Sequence, residues 1–356
     1  MSILKIGIPG TQLPSSDPTR AVRRAEDDGF HSIWWADRLM GWLPAGPHEL
    51  LDPYVVMAIA AQATSRIQLG TAVSDPLRRH PAQLAQTALS VQAVSRGRLL
   101  LGLGSGEAAG TVPYGMTFNR PVSRLQSAIL TLRALWDGGG VVTRGDEFYP
   151  LQDALCGLAS VIDAPPIWIA SHGPRALRIT GRLADGWMPT AAGVDRYRAD
   201  LEAIRTAEAS AGRARGAVTA GAFAWCVAAE SEERARALLA TPQLRALGLL
   251  LPAGALPKSP LPNGPAGSLV PTRANLGDLV APIDVDALAV VIPHGTPTQI
   301  ADRLAALHHA GAEHIVICDM SRVSGQDNGL GLRPHEIHLA IREALMDHVS
   351  VADDGR

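Results

Sequence analysis

Three short runs in this sequence join residues that can move protons or hold anions to residues that let a ligand come close. Asp37-Arg38 closes a very apolar run, Ser32-Ile33-Trp34-Trp35-Ala36. A carboxylate at the end of such a run points to function, with a turn cap or a pair with Arg38 as the structural alternative. The guanidinium could stabilise an oxyanion or bind an acidic substrate, or simply make a rim salt bridge. Gly102, Gly104 and Gly106 alternate through the next such run and deliver Ser105 and Glu107. Glycine at every second strand position marks close backbone approach; here a ligand is favoured over tight packing of the chain on itself. Glu107 is the foremost candidate for general acid–base chemistry, with the holding of backbone or cofactor polar groups as an equal alternative. Ser171-His172-Gly173-Pro174 follows another apolar run, and His172 is a candidate general acid near neutral pH or a turn residue. Gly104 to Ala109 loosely fits G-x-G-x-x-A, but Gly110-Thr111-Val112-Pro113 follows instead of an amphipathic helix, so the dinucleotide-binding context fails.

These residues need a frame, and the rest of the chain supplies one. Strands are expected at Lys5–Ile8, Ser32–Ala36, Ile67–Val73, Leu99–Leu103, Pro166–Ala170, Gly186–Met188, Ala222–Val227 and His314–Cys318. Helical patterns separate them, for example Pro81–Ser95, Pro121–Trp136 and the helix opened by the capping box Thr296-Pro297-Thr298-Gln299. Most of the strands are apolar on both faces, as buried parallel strands are. The pattern predicts an α/β fold, a (β/α)8 TIM barrel with loop insertions, as one domain spanning 1–356. Such barrels run to about 250 residues, so the excess belongs in loops. The longest loop, Pro252–Pro282, is a Pro/Gly-rich, lid-like insertion. In a barrel, chemistry sits at the C-terminal ends of the strands. Those ends deliver Asp37-Arg38 with Trp42 beyond, Ser74-Asp75, Ser105 to Glu107, Ser171 to Gly173, Thr190 and Asp319. Trp225, on the seventh strand, joins Trp42 and Thr190 as a candidate substrate contact.

Composition excludes several classes. A net charge of −2 argues against a basic nucleic-acid surface. The longest clean apolar run, Val218 to Ala229, falls short of the roughly 18 residues of a membrane span. The first residues lack a signal-peptide pattern, and 3 widely spaced cysteines form neither a disulfide framework nor a zinc knuckle, so a cytoplasmic protein with no metal is expected. Of 32 basic residues, Lys5 and Lys258 alone are lysine. A GC-rich genome accounts for most of that bias; anion recognition by arginine forks is the functional alternative.

Several of these runs, with others, resemble the bacterial luciferase-like superfamily. The matching stretches are Trp35 to Leu39 with Trp42, Asp52-Pro53, Ile67 to Val73, Arg79-His80-Pro81, Gly97-Arg98, Leu103 to Glu107, Ile169 to Pro174 and Ala184 to Trp187. The G-x-G-E ending resembles the branch that uses the deazaflavin coenzyme F420, since the flavin mononucleotide (FMN) monooxygenases more often place an aromatic where Glu107 stands. Arg79, Pro113-Tyr114-Gly115, Pro121-Val122, Arg133 to Trp136 and His172 to Arg175 are most similar to its phthiodiolone ketoreductase type.

The resemblance implies an F420-dependent oxidoreductase, a reductase passing hydride from the reduced deazaflavin to a small-molecule C=O, C=C or C=N of a secondary-metabolite or lipid precursor. It also implies that Asp37 contacts the ring edge, and that Ala72-Val73 is a non-proline cis peptide against the ring face, next to Ser74. Gly104, Ser105, Gly106 and Glu107 would line the ring and tail. Ser171, His172, Gly173 and Pro174 would receive the phosphate at a helix N-terminus. Catalysis would fall to Glu107, Arg38 or His172. An FMN-dependent monooxygenase and a non-catalytic cofactor-binding paralogue are the alternatives, and a homodimer follows by analogy. Two departures stand out. Arg38 replaces a histidine common among relatives, and Gly193 stands where sugar-phosphate dehydrogenases place a lysine.

Overall fold

Proline sets the start of one helix after another in this chain, because its fixed φ suits the first helical turn and its missing N–H costs nothing there. The computed structural model describes residues 3–39, 49–256 and 276–354. Helices α1 (Pro18–Asp27), α2 (Pro53–Ala63), α3 (Pro81–Val94), α4 (Pro121–Trp136) and α5 (Pro174–Leu183) all open this way. They alternate with strands β1 (Lys5–Pro9), β2 (Ser32–Trp35), β3 (Gln68–Thr71) and β4 (Leu99–Leu103). An antiparallel hairpin, β5 (Val142–Arg144) with β6 (Leu151–Ala154), intervenes before β7 (Ile167–Ile169). The order continues with β8 (Gly186–Trp187), α6 (Val194–Ser210) and β9 (Thr219–Ala228). It ends with β10 (His294–Gly295), α11 (Pro297–His309), β11 (His314–Asp319) and α12 (Pro334–Asp354).

The parallel strands run β9-β11-β1-β2-β3-β4-β7-β8, and β8 pairs back onto β9 to close the ring. This is the (β/α)8 barrel the alternation predicts, and its strands are the ones read from the sequence. β10 adds to the end of β9 outside the ring, and the β5–β6 hairpin fills what reads as loop. Leu101, Ile129, Ile167, Ile204 and Ile315, all fully buried, belong to the core between strands and helices.

Inside the ring a smaller core holds Trp34, Leu100, Trp168, Met188 and Val316. The two indoles meet edge to face at 5.6 Å. Gly70 and Gly186 make room for them, since a Cβ at either would lie 2.2 Å from the Trp34 or Trp168 ring. Trp34 donates to Ser32 Oγ at 2.7 Å, and that hydroxyl lies 2.6 Å from His314 Nε2. Burial pushes the His314 pKa down to about 3, so the imidazole is neutral and the barrel interior here is closed and uncharged.

The chain between β9 and α11 packs as a unit of its own. Helices α7 (Glu232–Leu239), α8 (Pro242–Arg245), α9 (Leu276–Val280) and α10 (Val285–Val291) share an apolar cluster that includes Leu238, Leu247, Ile283 and Leu288. Leu256 and Val280, from the described ends of the expected Pro252–Pro282 insertion, pack into this cluster. Residues 257–275 of the expected lid lie outside the described residues, as does Trp42.

Candidate active site

Asp37 and Arg38 are neighbours in sequence and opposites in environment. Asp37 is 2% exposed. Its Oδ2 accepts from Ser74 Oγ at 2.5 Å and from Arg79 Nε at 2.6 Å, and its Oδ1 from Arg79 Nη2 at 2.9 Å. Arg78 also reaches Asp37 and donates through Nε to Asp75 at 2.7 Å. Tyr54 completes the cluster. Its hydroxyl lies 2.8 Å from Ser74 Oγ, and the Arg79 guanidinium sits 4.8 Å from its ring centroid. Burial first, then the Asp37 charge, pushes the Tyr54 pKa well up, so the phenol stays protonated. A carboxylate this enclosed and this fully bonded is a positioning group. Its oxygens are engaged by Ser74, Arg78 and Arg79.

What the cluster positions is the chain just after β3. The Ala72–Val73 peptide is cis, as the resemblance implies, and both residues are half-buried. Ser74 follows immediately and is pinned three ways. Its N–H donates to Gly102 O at 2.9 Å, its carbonyl accepts from Gly104 N at 2.8 Å, and its side chain joins Asp37 to Tyr54. The β4 glycines serve this turn of chain. A Cβ on Gly102 would stand 1.8 Å from Thr71 O, and one on Gly104 2.6 Å from Val73 Cγ2. The close approach that alternate glycines signal is made at Gly102 and Gly104 by the protein's own Thr71 and Val73.

Arg38 turns the other way, to the open rim. Its Nη2 lies 2.8 Å from Glu107 Oε1, with the two side chains 30% and 23% exposed. Ser105 and Gly106 share this half-open setting. The rim thus carries one fixed positive charge and one carboxylate within reach of solvent.

His172 fits the role of general acid poorly. Burial first, and then the nearby Arg196 charge, lowers its pKa to about 4, so at neutral pH it has no proton to give. Arg196 also donates to its carbonyl at 3.1 Å. The Ser171 side chain is turned inward, 2.8 Å from Thr180 Oγ1, which leaves the backbone as what this segment can offer a ligand. Gly173 is the N-cap of α5 and Pro174 its first residue, with no side chain capping the helix. Thr190 bridges to Phe223 of β9, and both are half-buried, as is Trp225 two residues on. Asp319 is drawn into structure: it accepts from Ala228 N at 3.0 Å and Ser321 Oγ at 2.7 Å.

Sequence reasoning singled out neither Tyr54 nor Arg78 and gave Arg79 no role. The available signal was two adjacent arginines just past Ser74-Asp75, close behind a strand end that already carried one buried-type carboxylate. Gly97-Arg98 and Arg133 prove structural. Arg98 donates to the carbonyls of Ala61, Thr64, Ser95 and Ile67, and Arg133 holds Leu183 O and Asp185.

The sequence pattern of the luciferase-like monooxygenase family matches residues 7–314. The chain belongs to that family. Among its relatives, a phthiodiolone/phenolphthiodiolone dimycocerosates ketoreductase of Mycobacterium bovis (strain BCG / Pasteur 1173P2) is 30% identical over 345 residues, covering 88% of this chain and 90% of that one. An F420-dependent glucose-6-phosphate dehydrogenase of Kineococcus radiotolerans is 34% identical over 205 residues, covering 55% of this chain and 59% of the relative. The luciferase-like barrel also matches a solved F420-dependent secondary alcohol dehydrogenase, in complex with an F420-acetone adduct, with a TM-score of 0.79 at 19% identity over 96% of this chain and 99% of that one.

Proposed function

We propose that this protein is an F420-dependent oxidoreductase, working as a reductase on a C=O, C=C or C=N carbon of a secondary-metabolite or lipid precursor. The observation that carries the reading is the half-open Arg38–Glu107 pair at the barrel mouth. It puts an acid–base group and a fixed positive charge at the end of the barrel where such folds do their chemistry. The two relatives above, a ketoreductase and an F420-dependent dehydrogenase, support the same reading.

The residues present fit the coenzyme. The uncapped N-terminus of α5 leaves backbone N–H groups for a phosphate, with Gly173 exposed and no acidic residue in the first turn. Ala72 and Val73 present a half-buried apolar surface for one ring face, held there by Ser74 and the Asp37 cluster. Ser105, Gly106 and Glu107 would border the ring in this reading, with Thr190 and Trp225 as substrate contacts. The bound deazaflavin supplies the hydride.

The chain supplies position and charge. Arg38 stabilises negative charge developing on a substrate oxygen. Glu107, with one oxygen on Arg38, relays a proton between solvent and that oxygen. His172, neutral, shapes the site without exchanging protons.

Titrating the purified protein with the deazaflavin tests this, with absorbance and fluorescence of the coenzyme as readouts. Saturable deazaflavin binding with hydride transfer to a carbonyl substrate is the expected result. Tight binding of FMN with no affinity for the deazaflavin overturns it, and spectral binding without turnover of any carbonyl, alkene or imine tried returns the non-catalytic reading.

A further inference from the structure

The mouth of the barrel has two unlike sides. Arg38 and Glu107 follow the ends of β2 and β4, which flank β3. β9 stands opposite β3 in the ring, with β11 beside it. Alternation divides β9 by face. Ala222, Ala224 and Cys226 join the outer core, while Phe223 packs on the inner cluster around Trp34 and Trp168. Trp225 therefore faces inward as well, about 7 Å nearer the mouth than Phe223. Its in-register neighbour on β11 is Cys318, whose Sγ lies 3.5 Å from Met320 Sδ. Phe223, Trp225 and Met320 are all half-buried, so this side presents a phenyl ring, an indole and a thioether. None of the three carries a charge.

Two different cores hold this wall. Phe223 rests on the inner cluster, and Ala72 of the cis peptide rests on the same cluster from the β3 side. Together they floor the mouth. Trp225 and Met320 pack instead on the apolar core that α7 to α10 share, as does Val323 just after β11. Val227, the next inward residue of β9, is fully buried in that core. The helical unit between β9 and α11 thus lies against the upper ends of β9 and β11 and backs both the indole and the thioether.

We propose that Trp225, with Met320 beside it, is the specificity-determining wall of the site, and that it selects substrates whose reacting carbon carries apolar, uncharged substituents. The proposal rests on the reading of Ala72–Val73 as the seat of the coenzyme ring. A ring on that seat turns its open face toward β9, so the substrate lies between ring and indole. Its oxygen end then meets Arg38 and Glu107, and its carbon substituents meet Phe223, Trp225 and Met320. Apolar groups gain from burial against this wall, and the rigid indole offers them a large surface. A phosphate or carboxylate would lose water there and gain no charged partner from these three residues.

The test is calorimetric titration of the protein holding oxidised deazaflavin, which has no hydride to give, so binding is read without turnover. The ligands are straight-chain methyl ketones from butanone to octanone, and dihydroxyacetone phosphate. In the wild type, affinity should rise with chain length by up to about fourfold for each methylene buried. Dihydroxyacetone phosphate should bind more weakly than butanone. Trp225→Ala should cut the gain from butanone to octanone about tenfold, as roughly two uncovered methylenes would. Trp225→Phe should restore most of it. Met320→Ala should lose a smaller part, and keeps the test open if the alanine variant of the tryptophan does not fold. Deazaflavin affinity should stay at the wild-type value in all three variants, which a general loosening of the barrel would not allow. Affinity that ignores chain length in the wild type, a gain that survives intact in Trp225→Ala and Met320→Ala, or tighter binding of dihydroxyacetone phosphate overturns the proposal and leaves the cofactor reading standing. A protein that takes up no deazaflavin overturns both.

Discussion

Two carboxylate–arginine pairs stand side by side at the barrel mouth, seeded by adjacent residues. Asp37 faces inward, 1% exposed at its side chain, and is held by Arg78, Arg79 and Ser74. Arg38 faces the rim and meets Glu107 where both side chains keep about a quarter of their surface in solvent. The chemistry of the two pairs is the same and the burial is not. Enclosure makes the first a rigid strut for the chain at Ala72 to Ser74. Exposure leaves the second within reach of solvent and of a bound substrate, as the proposed proton relay needs. Position along a strand end thus divides framework from chemistry between two consecutive residues.

The comparison breaks most easily at Asp37. Asp37→Ala leaves Arg78 with Asp75 and Arg79 with Asp52 but removes the carboxylate that joins them, which costs about 3 kcal/mol, the low end for breaking a buried pair. The variant should show that loss in a denaturant melt, together with weakened cofactor binding as the Ala72–Ser74 segment loosens. If it melts like the wild type, the strut assignment is wrong.

Glu107→Gln should do the reverse. Stability should move by less than about 1 kcal/mol, since a half-exposed pair contributes little. Turnover should fall about a hundredfold, the lower range for loss of a general acid–base group. Steady-state kinetics beside a melt separates the two effects, and a variant that loses stability instead of turnover erases the difference between the pairs.

A finer cut comes from Tyr54→Phe. The phenol hydroxyl meets Ser74 Oγ at 2.8 Å, while Ser74 donates to Asp37 independently. Removing the hydroxyl should cost about 1 kcal/mol, the ordinary worth of one buried hydrogen bond. The same change should leave the pH profile of turnover as it is. A shifted profile would place Tyr54 in the proton path and blur the division between strut and rim.

The barrel was legible because each of its strands is a short apolar run ending in polar or glycine residues, a pattern local enough to read. Arg38 and Glu107 were legible as candidates for the same reason. Their pairing was not, because β2 and β4 are separated by β3, and only ring closure aims the two side chains at each other. Alternation of glycines signalled a close backbone approach, but sequence does not say whether the approaching atoms belong to a ligand or, as at Gly102 and Gly104, to Thr71 and Val73. The hairpin β5–β6 escaped because Val142–Arg144 and Leu151–Ala154 are short, partly exposed and only weakly alternating. Helices α7 to α10 hid their shared core because none is long enough to show a full apolar stripe.

The smallest effect concerns His172, which lies on the rim yet behaves like the buried side of the comparison. Its folded pKa of about 4 lies below the ordinary value near 6.5 of an unfolded chain. Between those values the unfolded state binds the extra proton, so His172 makes stability fall as pH drops through that window and contributes nothing to the slope above it. His172→Gln removes this term while His314 and His338, also neutral in the fold, remain in both proteins. The variant should therefore lose less melting temperature than the wild type between pH 7 and 5, values chosen to span the window. Its turnover-against-pH curve should keep the wild-type shape, because a neutral imidazole gives up no proton there. A curve that loses an ionisation near 6.5 in the variant would return His172 to the proton path and leave Glu107 with a partner in catalysis.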